Sequence, residues 1–145
     1  MYLVFDVGGT FIKYAWMDID GNIEDSGKIP TMRKDKNTIE DFIDAIGKIY
    51  DEFKQRGSVE GIAMDVPGQV DVENGIVYGG GAIRYLDRVN LQEVIGKRCD
   101  GVRVSVENDG KCAALAEVWR GNAKDVNNAC VLIFGTGIGG GIIID

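Results

Sequence analysis

The stretch Leu3-Val4-Phe5-Asp6-Val7-Gly8-Gly9-Thr10 constrains the chain more than any other. Four apolar residues flank one carboxylate, and two glycines and a threonine follow at once. The apolar run reads as a buried strand. The glycines read as a tight turn whose backbone N–H groups come close to something. A carboxylate at the end of a buried strand is costly without a metal, water or donors beside it. Two readings are therefore open here, a plain Gly-Gly hairpin or a phosphate-handling turn with a carboxylate on its metal side.

With 145 residues, 45% of them hydrophobic and 27% charged, the chain can build one domain with a real core. A net charge of −7 argues against non-specific nucleic-acid binding, which rests on neutralising phosphates with Lys and Arg. Cys99, Cys112 and Cys130 fit no metal or disulfide spacing and read as reduced thiols of a cytoplasmic protein. No signal peptide is expected, and no apolar run is long enough to span a membrane. Histidine is absent. That excludes a His base, a Ser-His-Asp triad and a His metal ligand within the chain.

Three antiparallel strands are expected first, at Tyr2–Val7, Phe11–Ile19 and Ile23–Thr31, with Asp20-Gly21-Asn22 as the second hairpin turn. Asn37 or Thr38 can cap a helix whose apolar stripe runs from Ile39 to Phe53. Gly61–Val66 follows as a buried strand, stopped by Pro67-Gly68. Gln69–Val72 and Gly75–Tyr78 form a small hairpin, Leu91–Lys97 a short helix behind Asn90, and Arg103–Val106 a strand. A helix follows to about Arg120, with Cys112, Ala113, Leu115, Ala116 and Trp119 on one face. The rings of Trp16, Trp119 and Tyr50 are expected in the core. Ala129–Phe134 is a strand, Gly135–Gly141 a glycine-rich turn, and Ile142–Ile144 a return strand whose hairpin partner is missing. The order predicts an α/β fold with a mixed sheet, three antiparallel strands followed by alternating helices and strands.

Several stretches can carry chemistry. Asp109 lies near a helix start, where negative charge is favoured. Either Asn108 or Asp109 simply caps that helix, or Asp109 takes a proton from a substrate hydroxyl during phosphoryl transfer; both hold together where Asn108 caps and Asp109 points into a cleft. Gly135–Gly141 holds five glycines in seven residues. Such a turn lets the backbone approach an anion, with Thr136 as a hydroxyl donor, or it is a structural bulge. It lacks the lysine of a P-loop and the helix of a dinucleotide fingerprint. Pro67-Gly68-Gln69-Val70-Asp71 follows a strand end, a usual ligand position. Gly79-Gly80-Gly81 walls a substrate pocket or hinges. Lys13, near the first turn, reaches a phosphate or faces water.

Four runs taken together resemble one family. They are Asp6-Val7-Gly8-Gly9-Thr10 with Lys13, Pro67-Gly68 with Val70-Asp71, Glu107-Asn108-Asp109-Gly110 with Cys112 to Glu117, and Gly135-Thr136-Gly137-Ile138-Gly139-Gly140-Gly141. Their order and spacing are similar to those of ROK sugar kinases, across residues 3–144. The resemblance implies a ribonuclease-H-like domain of the actin-like ATPase superfamily. It implies the N-terminal half of a two-domain kinase that transfers phosphate from ATP to a hexose, commonly at the 6-hydroxyl. By this resemblance Asp6, Gly8, Gly9, Thr10 and Lys13 serve the first phosphate turn, and Gly135, Thr136 and Gly137 the second. Asp6 faces Mg²⁺ through water, and Asp109 is the catalytic base. Gly68, Gln69, Gly81, Asn108 and Asp109 meet the sugar. The runs around Gly81 and Asn108 are similar to those of β-glucoside kinases, and the helix after Asn108 also to those of N-acetylmannosamine kinases. The resemblance further implies a homodimer at full length, and a second domain carrying the adenosine pocket, the remaining sugar ligands and any zinc site. A family repressor would place a DNA-binding segment before the first motif, so no nucleic-acid partner is expected. A non-catalytic sugar sensor is the alternative.

Overall fold

The computed structural model describes residues 1–32, 38–134 and 138–144. Strands β1 (Tyr2–Val7), β2 (Phe11–Met17) and β3 (Ile23–Pro30) form the expected antiparallel meander. β2 stops two residues short of Ile19. The Asp18 carboxylate accepts from the Asn22 N–H at 2.8 Å and closes the turn there. β4 (Gly61–Val66) runs parallel to β1, and β7 (Val104–Asn108) parallel to β4. The sheet order is β3-β2-β1-β4-β7, a mixed sheet as the sequence predicts. β5 (Gln69–Asp71) and β6 (Ile76–Tyr78) make the small hairpin, followed by a 3₁₀ turn over Arg84–Leu86.

Strand alternation sorts the sheet into two faces. Leu3, Phe5 and Val7 of β1, Ile62, Met64 and Val66 of β4, and Val104 and Val106 of β7 face one way. They pack with Phe42, Ile46, Ile49 and Phe53 of helix α1 (Ile39–Lys54) and with Leu91 and Ile95 of helix α2 (Leu91–Arg98). Thr38 caps α1. Its hydroxyl accepts from the Asp41 N–H, and the Asp41 carboxylate accepts from the Thr38 N–H, a reciprocal capping box. Asn37, the other candidate cap, lies outside the described residues. Trp16 and Tyr50 are core residues as expected.

Helix α3 (Asp109–Arg120) lies across the other face, over the β4 and β7 strands. Here one expectation is corrected. Leu115 and Trp119 are not buried in the core but 51% and 56% exposed. α3 instead buries its small side, Gly110 and Ala114, against the hairpin of β8 (Ala129–Phe134) and β9 (Ile138–Ile143). A Cβ on Gly110 would sit 2.8 Å from the backbone N and O of Gly140. That approach is closed to bulky residues; Leu115 and Trp119 instead line a cavity with Val4, Ala63 and Ser105 of the main sheet. A second correction concerns the last strand, which does have a partner. Ile142 pairs with Cys130 and Ile143 with Ala129, in a two-stranded sheet separate from the main one. Asp145 lies outside the described residues.

Candidate active site

The parallel strands β1, β4 and β7 end at the same edge of the sheet, and each carries a carboxylate one residue before its end. Their register aligns Asp6 with Asp65 and Asp65 with Glu107. On the antiparallel side, Asp6 faces Lys13, and Lys13 faces Lys28. These residues share the sheet face opposite the apolar core.

The Lys13 ammonium donates to Asp6 Oδ2 at 2.6 Å. That hydrogen bond, with the Asp6 charge, lifts the Lys13 pKa. The pair is exposed, 65% and 46%, so it contributes little to stability and can exchange partners at small cost. Asp65 is in the opposite situation. Burial first, then the negative charges of Asp6 and Asp109, push its pKa up to about 7. Its Oδ1 is buried without a hydrogen-bond partner among the described residues.

The first turn joins β1 to β2. The Gly8 N–H donates to the Phe11 carbonyl at 3.0 Å, and the Thr31 N–H to the Thr10 carbonyl at 3.0 Å. The Thr31 hydroxyl donates to the Gly8 carbonyl at 2.6 Å. Gly9 and Thr10 are exposed at the turn's tip.

The second turn leaves β4 at Pro67-Gly68. Gly68 has φ of 103°, and a Cβ there would lie 2.8 Å from the Tyr78 carbonyl oxygen, so the position requires glycine. Asn108 ties this turn to α3. Its Oδ1 accepts from the Lys111 N–H at 3.1 Å and caps the helix. Its Nδ2 donates to the Gly68 carbonyl at 2.8 Å and to Asp109 Oδ1 at 2.9 Å. The Gly110 N–H also donates to Asp109 Oδ1, at 2.8 Å. Both donors converge on one oxygen, leaving Asp109 Oδ2 without a partner among the described residues.

A cleft of about 890 Å³ opens between these pieces. Of the residues expected in a site, Asp6, Gly9, Gly68, Asn108 and Asp109 line it together. Gly8 and Thr10 shape the adjoining turn from outside it. Gly81, exposed with φ of 55°, backs the Pro67 turn: a Cβ there would come within 3.0 Å of the Pro67 Cβ. Gln69 is exposed on β5, beside Gly68 but not on the cleft wall. Lys13 lines a neighbouring cavity of about 590 Å³, which also contains Asp6, Asp65 and Lys28. Gly135, Thr136 and Gly137 lie outside the described residues, but Ile138, Gly139 and Gly140 just after them line the main cleft. These last residues belong to β9, so the expected turn is shorter than Gly135–Gly141.

Two residues escaped the sequence reading. Asp65 carries the signal that singled out Asp6, a lone carboxylate inside a buried apolar strand, in Gly61-Ile62-Ala63-Met64-Asp65-Val66. Thr31 has no such local mark, because its role depends on a partner 23 positions away.

Among the described residues no group of three or more Cys, Asp or Glu side chains converges closely enough to hold a metal alone. Mg²⁺ commonly takes one or two carboxylates and completes its shell with water and substrate phosphates. Asp6, with the unpartnered Asp65 oxygen on the adjacent strand, fits that kind of site.

The family model described as ROK family matches residues 2–145. A beta-glucoside kinase of Klebsiella pneumoniae is 37% identical over 138 residues, 95% of this chain and 44% of that protein. An N-acetyl-D-glucosamine kinase of Vibrio atlanticus is 33% identical over 149 residues, 100% of this chain and 47% of that protein. The crystal structure of a ROK family glucokinase from Streptomyces griseus, in complex with glucose and AMPPNP, matches with a TM-score of 0.86. It is 30% identical, over 99% of this chain and 44% of that one. The shared fold is that of the actin-like ATPases. The chain spans less than half the length of the curated relatives it matches.

Proposed function

We propose that this chain, which belongs to the ROK family, supplies the phosphate grip and catalytic base of an ATP-dependent hexose kinase. The observation that carries the reading is the convergence of Asp6, Gly9, Gly68, Asn108 and Asp109 on one cleft.

Phosphoryl transfer asks a protein mainly for positioning and charge stabilisation. The first turn offers backbone donors to the phosphates, with Lys13 within reach as a second cation. Mg²⁺, held through water at Asp6, neutralises phosphate charge when bound. Asp109 takes the proton from the attacking hydroxyl. Its Oδ1 is fixed by Asn108 Nδ2 and the Gly110 N–H, which leaves Oδ2 for the sugar. Asn108 and Gly68 line the cleft where a sugar would be read, and Gln69 and Gly81 flank the Gly68 turn as further sugar contacts. The names of the relatives point to glucose, a β-glucoside or an N-acetylated hexosamine, and we take the 6-hydroxyl as the acceptor. At full length we place the protein in the cytoplasm as a homodimer. No helix among the described residues is long and apolar enough to cross a membrane.

The test is Asp109→Asn in the full-length protein, with ATP, Mg²⁺ and a sugar panel, following ADP release. A general base contributes about 10²–10⁴ in rate, so turnover should fall at least a hundredfold while sugar binding persists. Near-native turnover removes Asp109 from the chemistry. No ADP from the unaltered protein on any sugar favours a non-catalytic sensor.

A further inference from the structure

Thr31 lies just beyond the end of β3, far from the first turn in sequence, yet it holds that turn. It is the one polar residue in the buried set among the described residues, with 6% of its surface exposed. Both its hydroxyl and its N–H are spent on the turn, on the carbonyls of Gly8 at 2.6 Å and Thr10 at 3.0 Å. The Gly8 N–H is taken by Phe11. What remains is asymmetric. The carbonyl oxygens at both ends of the turn are engaged on the protein side, while no described group accepts from the N–H of Gly9 or Thr10. An anion is held by N–H groups and repelled by carbonyl oxygens.

We infer that Thr31 is the positioning residue of the phosphate grip. It draws the turn's carbonyls inward so that the Gly9 and Thr10 N–H groups remain presented to a nucleotide phosphate. The inference rests on the reading of Gly8–Thr10 as a phosphate turn. A hydroxyl buried against a carbonyl is worth about one tenfold step in an equilibrium. Ordering a loop before binding is how such an interaction becomes affinity.

The experiment compares Thr31→Val, which keeps the shape and removes the donor, with Thr31→Ser, which keeps the donor. Titration calorimetry of the full-length protein with MgATP, and separately with glucose, gives the affinities. Amide hydrogen exchange without nucleotide at Gly8 and Thr31, whose N–H groups are bonded to the Phe11 and Thr10 carbonyls, gives the order of the turn. T31V should weaken MgATP about tenfold, leave glucose affinity unchanged and speed exchange at both amides. T31S should stay within about twofold of the native protein, since its donor is intact. Native MgATP affinity in T31V overturns the inference, as does a T31S loss equal to that of T31V. An equal loss for MgATP and glucose in T31V overturns it too, since that is general loosening. Failure of the unaltered protein to bind MgATP overturns the phosphate-turn reading itself, and the inference with it.

Discussion

Asp65 sets the pH behaviour of the fold. Its folded pKa, about 7, lies above the ordinary carboxylate value of 3.8. Between those values the folded chain holds a proton that the unfolded chain has released, so stability falls as pH rises through the window. Asp65→Asn removes the titration and nearly keeps the shape. In chelator-treated protein, urea unfolding should show the variant more stable than native by on the order of 2–4 kcal/mol near pH 8, with little difference near pH 4. Parallel curves at both pH values would refute this origin. The charges that shift Asp65 come from three elements, Asp6 on β1, Lys13 on β2 and Asp109 on α3, so the effect is a property of the assembled site.

At the scale of elements, Asn108 joins three things: the end of β7, the first turn of α3 and the turn after β4. Asn108→Ala loses the cap, worth about 1 kcal/mol, and also orphans the Gly68 carbonyl. We expect about 2 kcal/mol less stability in urea, together with weaker sugar binding. A loss confined to stability would separate the cap from the site. The same elements show what the sequence made legible. Meander, α1 and parallel strands followed from apolar periodicity and turn residues, which act locally. The cap at Asn108 was readable for the same reason. The orientation of α3 was not. Periodicity put Leu115 and Trp119 on one face and the Trp119 ring in the core, but the side that packs closely is the small one, Gly110 and Ala114, against the β8–β9 hairpin. The contact of Gly110 with Gly140 spans 30 positions and depends on how little volume two glycines occupy. The Thr31 clamp escaped for a similar reason, since nothing near residue 31 announces a carbonyl at residue 8.

For the whole molecule, the cleft has one well-furnished wall. Asp6, Asp65, Asn108 and Asp109 stand on the side of the main sheet and α3, while among the described residues β8–β9 contributes Ile133, Ile138, Gly139 and Gly140. With relatives about twice as long, the 145-residue chain should not turn over alone. ADP release by the isolated chain, measured with MgATP and the sugar that the longer protein accepts, would contradict this. The aligned row from Lys28 through Lys13, Asp6 and Asp65 to Glu107 adds an electrical consequence. Five adjacent strands span about 19 Å, roughly twice the screening length in physiological salt. A small solute therefore meets two separate patches rather than the average of a chain carrying −7. A polyanion is drawn toward the lysine end and turned away from the acidic end, and a neutral sugar is indifferent to both. For the nucleotide proposed above, the sheet would thus set a heading before any atom of it makes contact.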